Sequence, residues 1–273
     1  MAILALGAQW ATDLRSCQRR SSKSEGRKTS TRRLSVTMHG MPMKLLSPRA
    51  RARLSGVFQA LEGLPAVFGQ TIVLGMLVVN GDPAATARNI LANEGLYRLG
   101  FAIPLVAVGF HVTWALLLYQ LFSVVNRTIN QLALYVILVG CAIQAVAAVV
   151  YLSPLIVLEG NAHQGDVAML LINMSRLTFD VYLIFFGFWC VLLGYLIVRS
   201  TFMPRVIGAL LILDGIGWMT FLVPPFAASI YTLIAVVGGV AEFSLLLWML
   251  IFGVNNERWR EQEVATKSTA AAA

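Results

Sequence analysis

The chain has 273 residues, of which 58% are apolar and only 12% are charged. An ordinary soluble domain is about 45–50% apolar and about 25% charged, so a soluble core of this size could not hide so much apolar surface. The net charge of +8 does not indicate a nucleic-acid-binding face, because residues 1–53 carry twelve Lys and Arg against two acids and the rest of the chain is slightly acidic. The composition excludes a soluble globular domain and predicts an all-α, polytopic integral membrane protein.

Residues 1–53 form a basic segment, rich in Ser, Arg and Lys, that has too little apolar area to fold and is predicted to be disordered. Its apolar start precedes its positive charges, which is the reverse of a secretory signal. Two interpretations remain open. The segment is either a cytoplasmic tail that contacts anionic lipid, or the true start is at Met38, Met41 or Met43, which would leave a short basic lead-in to the first helix.

Six apolar segments of around twenty residues follow, the length that crosses a hydrocarbon layer of about 30 Å. The predicted spans are residues 57–79, 99–122, 132–152, 177–198, 206–223 and 230–252. Glu62, Pro65 and Gln70 interrupt the first span, which makes it the weakest. We predict one six-helix transmembrane domain over residues 54–254 and a cytoplasmic C-terminal tail over residues 255–273.

Lys and Arg residues favour the cytoplasmic side of a membrane. If the N-terminus is inside, the inner segments carry eighteen Lys and Arg and the outer loops carry three. Arg127, Arg199 and Arg205 lie in short inner loops and are the predicted topology-setting residues. Both termini are therefore predicted to be cytoplasmic.

Three ionisable residues, His111, Asp214 and Glu242, lie at mid-depth in the predicted spans and form a candidate polar centre. Such residues need a partner, a water pocket or a function, because inserting one at the membrane centre costs about 2.5–3.5 kcal/mol. In a functional interpretation, His111 titrates near neutral pH with Glu242 or Asp214 as its acidic partner. In the alternative, the groups stay neutral and hydrogen-bond across helix interfaces, which is worth about 0.6 kcal/mol on average in membranes.

Arg176 and Asp180 lie nearer the outer end of the fourth predicted span. Their i, i+4 spacing lets the two side chains meet on one face of a helix. We predict an interfacial ion pair between them.

The sequence contains none of the motifs HExxH, GxSxG and GxxxxGK, which mark zinc proteases, acyl-transfer nucleophiles and phosphate-binding loops. Cys17, Cys141 and Cys190 have no short spacing, which argues against a disulfide framework and a clustered thiolate metal site. We predict no catalytic residue, no cofactor and no metal, and a protein that is not an enzyme.

Several stretches of the chain together resemble a known family. GFWCVLLGYLIVRSTFMPRVIGALLILDGIGW begins at Gly187 and VAEFSLLLWMLIFGVNNERW ends at Trp259, with GLYRLGF at residues 95–101 and LLLYQLFSVVNR at residues 116–127 upstream. Over about residues 50–260 this resembles the bacterial membrane proteins grouped as domain of unknown function 4386. The resemblance implies a six-helix protein of the bacterial inner membrane with no established activity.

The chain matches that family's pattern at several polar positions, which are Arg98, Asn126, Arg127, Arg199, Arg205 and Glu242. It departs from the pattern at Trp189, where a histidine is usual, and at Asp214, where a small residue is usual. Chemistry that depends on those two positions would not be shared with the family.

Two functional hypotheses follow. The first is a small transporter or ligand-binding membrane module with Glu242, Asp214 and His111 as its polar centre. The second is a structural or regulatory membrane protein that acts by helix–helix binding to a partner. The expected partners are the lipid bilayer, together with a small molecule or proton, or with another membrane protein or a second copy of the chain; nucleic acid is not expected.

Overall fold

The structure is a computed structural model that describes residues 46–161 and 163–272. Most of the basic N-terminal segment, residues 1–45, lies outside the described residues. Within the described ranges all regular secondary structure is helical. Six of the helical segments there are long and apolar enough to cross a membrane, which confirms the predicted all-α architecture with six spans.

The α-helices of the described ranges are α1 Pro48–Val67, α2 Leu74–Leu77, α3 Pro83–Ala92, α4 Glu94–Phe122, α5 Arg127–Gly160, α6 Gly165–Arg199, α7 Arg205–Met219, α8 Pro224–Ser229, α9 Tyr231–Ile251 and α10 Asn256–Ala272. A π-helical turn, Phe68–Val73, joins α1 to α2, and a 3₁₀ turn, Thr220–Leu222, extends α7. The six spans are α1 continued through α2, then α4, α5, α6, α7 with its 3₁₀ turn, and α9.

The six spans form a closed ring in chain order. α1 packs against α4, and α4, α5, α6, α7 and α9 then each pack against the next. α9 packs back against α1, which closes the ring. Because successive spans run in opposite directions, the start of α1 and the ends of α4, α6 and α9 lie together at one end of the bundle, beside α10. We call this the α10 end, and the opposite end, beside α3, the α3 end.

Capping side chains explain where the spans begin. Ser47 Oγ accepts a hydrogen bond from the amide of Ala50 (3.2 Å), and Pro48 occupies the first turn of α1. Asn126 caps α5 in the same way. Such caps satisfy amides that have no partner inside the helix, so α1 begins at Pro48, earlier than the predicted domain boundary at residue 54.

The first span is irregular in its middle. Pro65 lies inside α1 and removes one amide donor, and the π-helical turn begins three residues later. Gly69 in that turn packs directly on the carbonyl oxygen of Gly100 in α4, so a larger side chain would not fit there. π-helical turns inside helices are frequent at functional sites.

The outward faces of the spans are strongly apolar. Met76, Val149, Val206 and Leu233 each expose between 62% and 69% of their surface. A soluble protein rarely exposes such a continuous apolar surface, whereas a bilayer provides an apolar solvent for it. The exposed surface is therefore the one expected of a lipid-facing bundle.

Glycines bring α6 and α7 into backbone contact. A methyl group on Gly194 would lie 2.6 Å from the carbonyl oxygen of Gly208, and one on Gly208 would lie 2.6 Å from that of Gly194. Gly187 packs on the carbonyl of Gly215 one pair further along. Small residues allow membrane helices to approach closely and gain van der Waals contact, so this seam fixes α7 against α6.

Helix α10 covers part of the α10 end of the ring. Trp259 Nε1 donates a hydrogen bond to the carbonyl of Leu121 (2.8 Å), and Thr266 Oγ1 donates to a carbonyl in the following loop. Gln262 Oε1 accepts from the amide of Thr201 (2.9 Å). α10 therefore satisfies backbone groups left free where two spans end. The sequence analysis predicted only a tail in this region.

Charges divide unevenly between the two halves of the bundle. Among the described residues, with the three mid-span acids Glu62, Asp214 and Glu242 set aside, the α10 half carries nine Lys and Arg against three acids, and the α3 half carries three arginines against five acids. Arg127, Arg199 and Arg205 all lie at the α10 end, at the starts or ends of α5, α6 and α7.

Candidate functional site

Four ionisable side chains from four spans lie in the middle of the ring. They are Glu62 on α1, His111 on α4, Asp214 on α7 and Glu242 on α9. Glu62, His111 and Asp214 each expose 6% of their surface or less. We call these four residues the central cluster.

His111 and Glu62 make the closest contact of the central cluster. Nδ1 of His111 lies 3.2 Å from Oε1 of Glu62, and the two side chains are almost fully buried. The angle does not give a hydrogen bond, so neither imidazole nitrogen has one among the described residues. The sequence analysis named Glu242 or Asp214 as the acidic partner of His111; the acid in contact is instead Glu62.

Aromatic rings surround the imidazole of His111. Its ring centroid lies 5.3 Å from Trp114, 5.6 Å from Trp189, 6.0 Å from Phe186 and 6.2 Å from Tyr182. These rings come from α4 and α6 and fill the space around the imidazole inside the ring of helices. Trp189 is therefore part of the enclosure of His111.

Asp214 lies at the contact between α7 and α9. Its Oδ1 atom would be only 2.7 Å from a methyl group on Gly238, so that glycine makes room for the carboxyl group. The Cys190 thiol and the Trp218 indole face the carboxyl. Neither makes a hydrogen bond of good geometry, and both Asp214 oxygens are buried without a partner among the described residues.

Glu242 connects the two halves of the central cluster. It lies one turn after Gly238 on α9 and interacts electrostatically with both Asp214 and Glu62. Gln59, one turn before Glu62 on α1, donates a hydrogen bond from Nε2 to the backbone carbonyl of Glu242 (3.1 Å). This bond fixes the register of α1 against α9.

The remaining two spans also direct titratable groups toward the central cluster. Cys141 on α5 and Tyr182 and Cys190 on α6 all interact electrostatically with Glu62. Each of the six spans therefore contributes a titratable side chain. Across the described ranges, no three His, Cys, Asp or Glu side chains come together in a way that could hold a metal ion.

The central cluster combines three carboxyl groups and one imidazole in a region of low dielectric constant. Ionising all three carboxyls together would place like charges close to one another where water does not screen them. Histidine is the side chain whose ordinary titration falls between pH 5 and 8. The arrangement is chemically suited to exchange protons among its members.

Arg176 and Asp180, the predicted interfacial ion pair, lie one turn apart on α6 and attract each other. They do not form a contact ion pair among the described residues. Arg176 also interacts with the hydroxyl of Tyr97 on α4, so its guanidinium is shared between two groups. The contact ion pairs in this half join Arg98 to Glu94 and Glu159.

Glu62 and Gln59 are members of the site that the sequence did not predict. The sequence pattern marks Glu62 only as an interruption of the weakest span. A usable signal was present, because Gln59, Glu62 and Gln70 recur at steps of three and eight residues, which places polar groups along one face of a helix.

Six membrane-spanning helices closed around a buried polar cluster define a polytopic α-helical membrane protein. No curated protein and no solved structure matches the chain. Residues 54–253 match the family described as Domain of unknown function (DUF4386). The match covers most of the chain, so the protein belongs to this family, as its sequence resemblance indicated.

Proposed function

We propose that the protein is a small transporter or ligand-binding membrane module whose central cluster binds protons. The observation that carries this proposal is the contact between His111 and Glu62, two buried ionisable groups 3.2 Å apart in the middle of the ring. Ionisable residues inside a membrane are costly, and those that face a bundle interior commonly mark ion, proton or substrate pathways.

The surroundings of this pair support coupling between proton binding and helix geometry. A proton on His111 would attract the carboxylate of Glu62, and loss of that proton would remove the attraction. Glu62 lies three residues before Pro65 and six before the π-helical turn. Because these irregularities weaken α1 at that point, a change in the charge of the pair would act on the most deformable part of the span.

The bacterial cytoplasmic membrane, with both termini inside, is the proposed location. Two observations support it. Lys and Arg concentrate in the α10 half of the bundle, as the positive-inside rule predicts for the cytoplasmic side. The family resemblance of the sequence points to bacterial inner-membrane proteins.

The alternative is a structural or regulatory membrane protein that binds a partner through its helices, with the central cluster serving only packing. The position of Asp214 favours it, because the carboxyl fills a gap left by Gly238 in the contact between α7 and α9. Polar groups at such contacts act as packing elements in many membrane bundles. That the protein is not an enzyme also remains a prediction, from the missing motifs.

The test is a ligand screen on the detergent-purified protein between pH 5 and 8, with panels of small metabolites and lipids. Glu62→Gln and Glu242→Gln keep the side-chain size and remove the charge, and Glu257→Gln at the exposed start of α10 is the matched control. We expect one compound class to raise the melting temperature of wild type and control but not of the two central variants. A ligand at 100 times its Kd stabilises a folded protein by about 2.7 kcal/mol.

The packing alternative predicts a different result. If no compound changes the melting temperature and both central variants accumulate poorly, the central cluster serves packing and the transporter proposal fails. If a compound stabilises wild type and both central variants equally, the protein binds a ligand elsewhere.

A further inference from the structure

A small, partly open cavity lies outside the central cluster, toward the α3 end. It is bordered by the π-helical turn, α4, α5 and α6. The residues that line it include Gln70, Gly100, Gln144, Ala147, Tyr151 and Phe179. Its volume is about 20 Å³, measured as the space open to the centre of a water-sized sphere.

Polar atoms without protein partners surround this cavity. Gln144 and Tyr151 expose 3% and 2% of their surface. Both amide atoms of Gln144, the hydroxyl of Tyr151 and Oε1 of Gln70 are buried with no hydrogen-bond partner among the described residues. Nε2 of Gln70 does have a partner, because it donates a hydrogen bond to Ser175 Oγ (3.0 Å).

Specific residues around the cavity define its shape and hold its polar groups in place. Gly100 has no side chain where a methyl group would overlap the hydroxyl of Tyr151. Stacking on Tyr97, with ring centroids 4.7 Å apart, holds the Tyr151 ring in place. The hydrogen bond from Gln70 Nε2 to Ser175 leaves Oε1 of Gln70 as a free acceptor.

The chemistry of the lining defines the ligand. Gln144 offers the two N–H donors of its amide and one acceptor oxygen, Tyr151 a hydroxyl that can do either, and Gln70 an acceptor oxygen. A water molecule needs two to four such partners and a cavity of about 10–15 Å³ by this measure. The available space accepts one such molecule and excludes metabolites of several heavy atoms.

We propose that this cavity is a binding site for water, which bridges Gln70 in the π-helical turn to Gln144 and Tyr151 on α5. The bound water satisfies polar atoms that the apolar interior would otherwise leave unpaired. It also ties the irregular part of the first span to α5, which is not its direct neighbour in the ring. This inference is independent of any ligand or proton bound by the central cluster.

Radiolytic footprinting of the full chain in lipid nanodiscs tests the proposal, because short X-ray pulses convert bound water into hydroxyl radicals that label adjacent side chains. We expect labelling of Tyr151 despite its burial, and none of Phe122, which is fully buried and does not line the cavity. In Gln144→Leu, which removes both amide atoms, the labelling of Tyr151 should fall to the level of Phe122.

A melting-temperature measurement covers the case in which labelling is weak. If the cavity holds water, Gln144→Leu and Tyr151→Phe each break a bridge and lower the melting temperature. If the cavity is dry, both variants remove unpaired buried polar atoms and raise it or leave it unchanged. Higher melting temperatures, or labelling that does not change in Gln144→Leu, would overturn the proposal.

Discussion

Two tryptophans at the α10 end differ in whether the indole N–H has a partner. Trp259 Nε1 donates to the carbonyl of Leu121, whereas Trp248 Nε1 is buried without a partner among the described residues. Losing a hydrogen bond costs about 0.5–1.5 kcal/mol, and removing an unpaired buried donor relieves a desolvation cost. We expect Trp259→Phe to lower the free energy of unfolding more than Trp248→Phe, as measured by chemical unfolding in detergent.

The two variants control for each other, because both replace an indole by a phenyl ring. Equal losses would mean that ring volume decides the effect and that the bond from Trp259 contributes nothing. A larger loss in Trp248→Phe would indicate a partner for that indole.

For single residues, hydropathy predicts how deep in the membrane a polar side chain lies, but not which side chain it contacts. His111, Asp214 and Glu242 lie in long apolar runs, so their mid-membrane position could be derived from the sequence. Glu62 lies in the span with the lowest mean hydropathy. In such a span, a charged residue has the sequence pattern of the end of an apolar run and not that of a buried site residue. Its contact with His111 depends on α1 packing beside α4, which no local spacing encodes.

At the scale of helices, the seam between α6 and α7 gives the clearest prediction. Gly208→Ala places a methyl group 2.6 Å from the carbonyl oxygen of Gly194, so the two backbones must separate. Overpacking of this kind costs about 1–3 kcal/mol. We expect a lower melting temperature for the purified variant, whereas Gly239→Ala, whose methyl group meets nothing within 4 Å, should be neutral or stabilising.

Unchanged stability in Gly208→Ala would show that the seam is loose enough to absorb a methyl group. A loss of equal size in Gly239→Ala would point to a general sensitivity of the helices to side-chain size. Only a difference between the two variants supports the close contact as the cause.

Apolar length predicted the six spans, because crossing lipid requires it, but it could not predict the other helices. α3 is a short helix at the bundle end, and α10 is polar and begins after the last apolar run. The π-helical turn was also missed, since it depends on how α1 packs on α4 at Gly69. These elements depend on contacts between segments and not on hydropathy.

For the whole molecule, the uneven charge predicts one orientation. In a chain whose only cysteine is introduced by Asn80→Cys, at an exposed turn in the α3 half, a membrane-impermeant maleimide should label intact cells. With Glu261→Cys on α10 instead, labelling should require permeabilised cells. The expectation follows from the excess of Lys and Arg in the α10 half.

Labelling of the Glu261→Cys chain alone in intact cells would reverse the orientation. Labelling of both chains would argue against an even number of spans.

The number of spans and the charge asymmetry could both be predicted from the sequence. The order of the six helices around the ring could not be predicted, because it depends on how side chains pack between segments that are far apart in the chain.

The closure of the ring by α9 affects how the chain is made. Gln59 and its acceptor on Glu242 are 183 positions apart, so the ribosome synthesises one of them early and the other near the end. Until α9 enters the bilayer, Gln59 has no access to this acceptor, although Glu62 on the same span can already contact His111 on α4. The least apolar span is therefore the one whose second neighbour is synthesised last. A nascent chain that stops before α9 leaves one side of α1 without a packing partner, and proteases that remove misassembled membrane proteins can recognise that exposed side.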